Sequence, residues 1–110
     1  MRRVLFLCGR NKARSPTAER VFESLPGLEV ASAGVSIDAD EVVSSELIEW
    51  ADIIFVMEKA HRTKLTRQYH DNLRLQKIIC LDIPDKYEYM DPALIELLKA
   101  RVSQHLALKI

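Results

Sequence analysis

Four short apolar runs, each separated from the next by a stretch with helical periodicity, leave this chain few ways to fold. Arg3 to Leu7, Leu28 to Ala33, Ile53 to Met57 and Gln76 to Leu81 read as strands. The first and third are nearly continuous in apolar residues, the pattern of strands buried on both faces, as in parallel sheets. A first helix is expected over Ser15 to Leu25. Pro16 suits its first position, and Ala18, Val21, Phe22 and Leu25 form one apolar stripe before Pro26-Gly27 ends it. Ser44 is a candidate N-cap for a short helix through Trp50, and Lys59 to Gln68 forms a basic helix whose His61, Arg62, Lys64 and Arg67 are read as a solvated face. Asp91-Pro92 starts a last helix with Leu94, Ile95, Leu98, Val102 and Leu106 on one side. Lys99, Arg101 and Lys109 bias its later half toward positive charge, which complements the helix dipole. Strands alternating with helices predict a three-layer α/β domain, a four-stranded parallel sheet with helices on both faces, spanning 1–110 as one unit.

The stretch between the first strand and the first helix carries the chemistry. Cys8 ends the strand, Gly9, Arg10, Asn11, Lys12 and Ala13 intervene, and Arg14-Ser15-Pro16 opens the helix. That order gathers a thiol, loop amides, a guanidinium and a helix N-terminus at one point, and each favours a bound anion or the nucleophilic thiolate. Gly9 supplies backbone freedom beside the thiol, and Asn11 tolerates a left-handed conformation. A lone strand-end cysteine is more often a small buried hydrophobe; the Arg-Ser-Pro at helix-start position argues for a phosphate site. In an open α/β sheet such a site lies outside the carboxyl ends of the strands. Cys8 and Asp82, which follow the first and fourth strands, fall on that same edge.

Composition excludes several other classes. Net charge is formally zero, which gives no argument for bulk nucleic-acid or membrane binding. Locally, Arg2, Arg3, Arg10, Lys12 and Arg14 cluster in sequence near the loop, a pattern expected to steer an anionic substrate. The two cysteines, Cys8 and Cys80, have no metal-ligand spacing and make no disulfide framework, which fits a reducing cytoplasm. The apolar run after Met1-Arg2-Arg3 is too short for a signal peptide. The three histidines, His61, His70 and His105, are scattered without acids or cysteines at ligand spacing, so no metal is expected.

Cys8-x5-Arg14-Ser15-Pro16 after a buried strand, with Ala18-Glu19-Arg20 following, resembles the low-molecular-weight protein tyrosine phosphatases. Ser32-Ala33-Gly34 and the run Ala51 to Glu58 extend the resemblance. It implies a sheet of order 2-1-3-4 and two-step phosphoryl transfer without metal or cofactor. Gly9 to Ser15 would bind the phosphate, Cys8 would form a phosphocysteine, Arg14 would clamp two oxygens, and Ser15 would stabilise the thiolate. Asn11 and Ser32 would match the pair that holds the loop. An aspartate after the fourth strand would protonate the leaving oxygen. Asp82 directly follows the strand and is preferred, Asp85 is the alternative, and Asp91 is read as an N-cap. Tyr87 and Tyr89 are candidates for the pocket rim or for packing on the last helix.

Three features depart from the family pattern. Ala13 stands where a second cysteine often precedes the arginine, so no redox switch is expected. Arg10 and Lys12 add charge to the loop, which points to a more anionic substrate. The chain is also short between Gly34 and Ala51, where the family builds one wall of its aromatic pocket. The leading expectation is a cysteine-dependent phosphatase of a phosphorylated protein or small molecule, phosphotyrosine by family default. A nucleotide or RNA-end phosphatase is a substrate variant. A cysteine phosphocarrier would need neither Arg14 nor an acid, an arsenate reductase would need more cysteines, and a module that only binds anions would need no intact Cys8, Arg14 and Ser15.

Overall fold

The computed structural model of the chain describes residues 2–106; Lys109 lies outside the described residues. Four strands, β1 (Arg2–Cys8), β2 (Leu28–Gly34), β3 (Ile53–Val56) and β4 (Lys77–Cys80), alternate with four helices, α1 (Arg14–Phe22), α2 (Ser45–Trp50), α3 (Lys59–Tyr69) and α4 (Pro92–Leu106). All strand pairs are parallel and the sheet order is β2-β1-β3-β4, as the resemblance implies.

The side-chain alternation of β1 and β3 sorts the core into two layers. Val4, Phe6, Cys8, Ile53, Phe55 and Met57 point to one face, where α1 supplies Ala18 and Phe22 and α4 supplies Leu94, Leu98, Val102 and Leu106. Leu5, Leu7, Ile54 and Val56 point to the other, against Ile48 of α2 and Leu65 of α3. The first layer is centred on three rings, with Phe6 stacked on Phe22 at 5.7 Å and on Phe55 at 5.5 Å. Burial on both faces explains why β1 and β3 show no polar alternation.

Helix boundaries follow local chemistry. Ser44 caps α2 by accepting the Leu47 N–H at 3.2 Å, and Asp91 accepts from Ala93 N–H at 2.9 Å before α4. α1 begins at Arg14, because the Ala13 carbonyl already accepts the Thr17 N–H at 2.9 Å, and it stops at Phe22, short of the expected Leu25. Leu25 still packs against the first layer. The strand order reverses between β1 and β3, so the crevice at their carboxyl ends is the switch point of the fold.

Leu98 is fully buried between α4 and the sheet. Leu98→Ala is expected to cost about 2–5 kcal/mol, seen as a lower urea midpoint. Ile37→Ser, at a side chain 93% exposed, should change stability by no more than about 0.5 kcal/mol.

Candidate active site

The chain leaves β1 at Cys8 and turns through residues 9–13 into α1. Its carbonyls face outward: Cys8 O accepts from Val35 N at 3.0 Å, Gly9 O from Ser36 N at 2.9 Å, Arg10 O from Asp40 N at 3.1 Å, and Ala13 O from Thr17 N. Among the described residues the amides of 10–15 have no protein acceptor, and no side chain caps α1. Outward carbonyls, open amides and a helix N-terminus make an anion-binding ring.

Asn11 holds this curve. Its φ is 57°, in the left-handed region. Its Nδ2 donates to Ser15 Oγ at 2.9 Å and to Ser32 Oγ at 3.1 Å, and Ser32 in turn donates to Glu19. Ser15 Oγ lies 2.9 Å from Cys8 Sγ. Because that oxygen already accepts from Asn11, its own proton is directed to the sulfur or to Ala33 O at 3.3 Å.

Arg14 is 4% exposed, so its charge needs partners. Its Nη1 donates to Glu58 Oε2 at 2.6 Å and to Ile83 O at 2.8 Å. Both Nη1 protons are spent on protein, which leaves Nε–H and Nη2 for a bound anion. Glu58 follows β3 and Ile83 follows β4, so the guanidinium ties together the carboxyl ends of three strands.

A cavity of about 310 Å³ is lined by Cys8, Gly9, Arg10, Lys12, Ala13, Arg14, Asp85 and Tyr87. Asp85 is 73% exposed, with Oδ1 3.8 Å from Arg14 Nε. The structure therefore brings Cys8, Gly9, Arg10, Lys12, Ala13 and Arg14 of the sequence-read loop to the cavity, with Asn11 and Ser15 outside its lining, and of the two candidate acids only Asp85. The preference for Asp82 does not fit this placement. Asp82 has φ 54°, and its carboxylate turns back to accept from Cys80 Sγ at 3.4 Å, in a separate groove shared with Pro84 and Lys59. Tyr87 lines the cavity and packs on the first core layer; Tyr89 is 54% exposed and does not line it.

Three further sequence readings change. Arg2 and Arg3 stand at the opposite edge of the sheet from Cys8; Arg3 and Cys8 lie five positions apart, roughly 16 Å of strand, so neither arginine adds to the site's charge. Arg10 and Lys12 are engaged by the loop after β2, through Asp38 at 3.1 Å and Asp40 at 2.7 Å. His61 is not on a solvated face: it is 7% exposed. Its Nδ1 accepts the Glu58 N–H at 3.2 Å, and burial, with Arg14 beside it, pushes its pKa below the ordinary 6.5.

Sequence reasoning also missed Arg101. Its Nη1 donates to Leu81 O and, at 3.3 Å, to Asp82 O, pinning the start of the Asp85 loop. The available clue to His61 was its place three residues after Glu58, the spacing of a capping box with histidine in the usual Glu or Gln position.

A cysteine under a ring of amides with one clamped guanidinium, at the switch point of a 2-1-3-4 sheet, is an arrangement able to hold an oxyanion against a thiol. In fold and loop the chain is similar to low-molecular-weight protein tyrosine phosphatases. No protein-family model matches it. A protein-arginine-phosphatase from Geobacillus stearothermophilus is 33% identical over 91 residues, covering 61% of this chain and 62% of that relative; the match thus spans less than two thirds of the relative's length. Among solved structures, Wzb from Vibrio vulnificus in complex with benzylphosphonate is 27% identical with a TM-score of 0.76, over 97% of this chain and 99% of that one. A low-molecular-weight protein tyrosine phosphatase from Streptococcus pyogenes is 18% identical with a TM-score of 0.76, over 100% and 95%.

Asn11→Ala is expected to destabilise the protein by about 1 kcal/mol more than Asn11→Gly, because glycine restores the left-handed backbone although neither variant keeps the side-chain bonds; urea unfolding measures the difference. His61 adds a pH dependence. Its folded pKa lies below the unfolded value of 6.5, so its contribution is complete above pH 6.5 and drains away as pH falls through the folded value. The native chain should lose stability over that window more steeply than His61→Asn.

Proposed function

We propose that the protein is a cysteine-dependent phosphatase that hydrolyses a phosphomonoester through a phosphocysteine. The observation that carries this reading is the Cys8 thiol at a cavity walled by the 9–15 loop, with Arg14 and Asp85 facing the same space. A phosphoryl group in the ring would receive hydrogen bonds from the loop amides and from Nε and Nη2 of Arg14. The Cys8 thiolate attacks phosphorus, the P–O ester bond breaks in line, and the protonated Asp85 gives its proton to the departing oxygen. A water then attacks the phosphocysteine, Asp85 takes a proton from it, the S–P bond breaks, and inorganic phosphate leaves with the thiolate restored. The amides and Arg14 stabilise the charge on the equatorial oxygens in both steps.

The cavity rim bears on the substrate. Arg10 and Lys12 are already paired with Asp38 and Asp40, which removes the argument for a polyanionic nucleotide or RNA end. A phosphorylated protein side chain is the better fit, with Tyr87 as one aromatic wall for phosphotyrosine. Phosphoarginine is a second reading. The arginine-phosphatase relative favours it, and so does the carboxylate of Asp85 at a rim where, among the described residues, Tyr87 is the one aromatic ring.

The test is release of phosphate from an aryl phosphate between pH 5 and 8, followed by kcat/KM on phosphotyrosine and phosphoarginine peptides. Cys8→Ser should abolish turnover. Asp85→Asn should slow it by about 100-fold or more, while Asp82→Asn should leave it near the native rate. Unchanged turnover in Cys8→Ser would end the phosphocysteine mechanism, and a large loss in Asp82→Asn alone would reassign the acid.

A further inference from the structure

Glu58 and His61 stand one step behind the site, and the mechanism above gives neither a role. One ring bonds the Glu58 N–H and lies beside its carboxylate. The Glu58 N–H donates to His61 Nδ1 at 3.2 Å, while Glu58 Oε2 lies 3.6 Å from His61 Nε2 and receives Arg14 Nη1 at 2.6 Å. The imidazole side chain is 9% exposed, and its Nε2 sits 3.7 Å from where a Cβ on Gly9 would lie. It is thus wedged between the first turn of α3 and the phosphate loop. An Nδ1 that accepts carries no proton, so this geometry requires the neutral ring with its proton on Nε2.

We propose that neutral His61 is a positioning residue for Arg14: it fixes Glu58, Glu58 fixes the guanidinium, and protonation of the ring loosens the clamp on the bound oxyanion. The inference rests on the phosphatase reading of the loop. The charged groups that face the ring are Glu58 at the N-cap of α3, Lys64 of α3, Arg14 of α1, and Asp85 of the loop after β4. Burial, Arg14 and Lys64 oppose the imidazolium, whereas Glu58 and Asp85 favour it, and the balance lowers the pKa. Protonation would set an Nδ1–H against the Glu58 N–H. It would also give the Glu58 carboxylate a second cation to serve in place of Arg14. The imidazolium would attract a bound dianion as well, but its charge faces the Glu58 carboxylate directly, whereas Arg14 reaches the oxyanion itself. The lost clamp therefore outweighs the added attraction.

The experiment measures sulfate binding by calorimetry from pH 8 to 5, beside aryl phosphate turnover, in the native chain, His61→Asn and His61→Leu. Sulfate stays a dianion throughout, so its own protonation does not enter. Asparagine offers the Glu58 N–H an acceptor that does not titrate; leucine offers none. The Asn variant should match the native chain at pH 8. Toward pH 5 the native chain should lose about tenfold more sulfate affinity than the Asn variant, and the Leu variant should be about tenfold weaker throughout. By reciprocity, sulfate should lower the His61 pKa followed by NMR in the native chain, a readout that needs no variant to fold. The same pH profile in native and Asn chains, or a His61 pKa raised by sulfate, would overturn this inference. Sulfate binding without turnover would sink the phosphatase reading while the clamp is still tested. No binding at any pH would remove both.

Discussion

A buried guanidinium is costly unless every direction around it is answered, and Arg14 is the residue on which the rest of this structure depends. Its partners come from the ends of two other strands: the Glu58 carboxylate after β3 and the Ile83 carbonyl after β4. Neither is near Arg14 in sequence. The parallel sheet brings them together, because parallel strands end on one edge and a loop leaving each strand there must meet its neighbours. The fold thus supplies a desolvated cation whose remaining protons face one small cavity.

Around that cation the site divides into a fixed part and an attached part. The 9–15 loop is fixed by its own outward carbonyls and by the Asn11, Ser15 and Ser32 bonds, all within the β1–α1–β2 unit and the loop that follows it. The loop bearing Asp85 is attached from outside that unit. Arg101 of α4 holds its start at Leu81 and Asp82, and its far end is fixed where Met90 N–H donates to Thr17 Oγ1 of α1 at 2.9 Å.

What could be read from the residues follows the range of the interactions involved. The strands, the caps at Ser44 and Asp91, and the Cys8 to Ser15 loop were legible because each rests on neighbours in sequence. Strand order came from the family resemblance, since apolar runs alone do not state which strand lies beside which. Adjacency to the strand favoured Asp82 over Asp85 but says nothing of direction, and in the structure the backbone at Asp82 is left-handed with its carboxylate on Cys80. His61 was read as exposed because Arg62, Lys64 and Arg67 dominate its helix, although a buried face needs only His61 and Leu65. The pairs from Arg10 and Lys12 to Asp38 and Asp40 join two loops separated by a strand and a helix. Their charges were visible, but their mutual cancellation was not.

The tether from Arg101 makes the two halves of the site separable under damage. A lesion in α4 would loosen the loop that carries Ile83 and Asp85 while the Asn11, Ser15 and Ser32 bonds of the 9–15 loop stayed in place, and Arg14 would keep its Glu58 partner but lose the Ile83 carbonyl. Under the two-step reaction proposed above, with Asp85 serving both steps, such a lesion would do more than weaken turnover. On that reading it would leave a thiolate still placed to capture a phosphoryl group from a good leaving group, without the carboxylate that would draw in water to free it. On that reading the last helix, which contributes no residue to the cavity lining, would separate a catalyst from a trap.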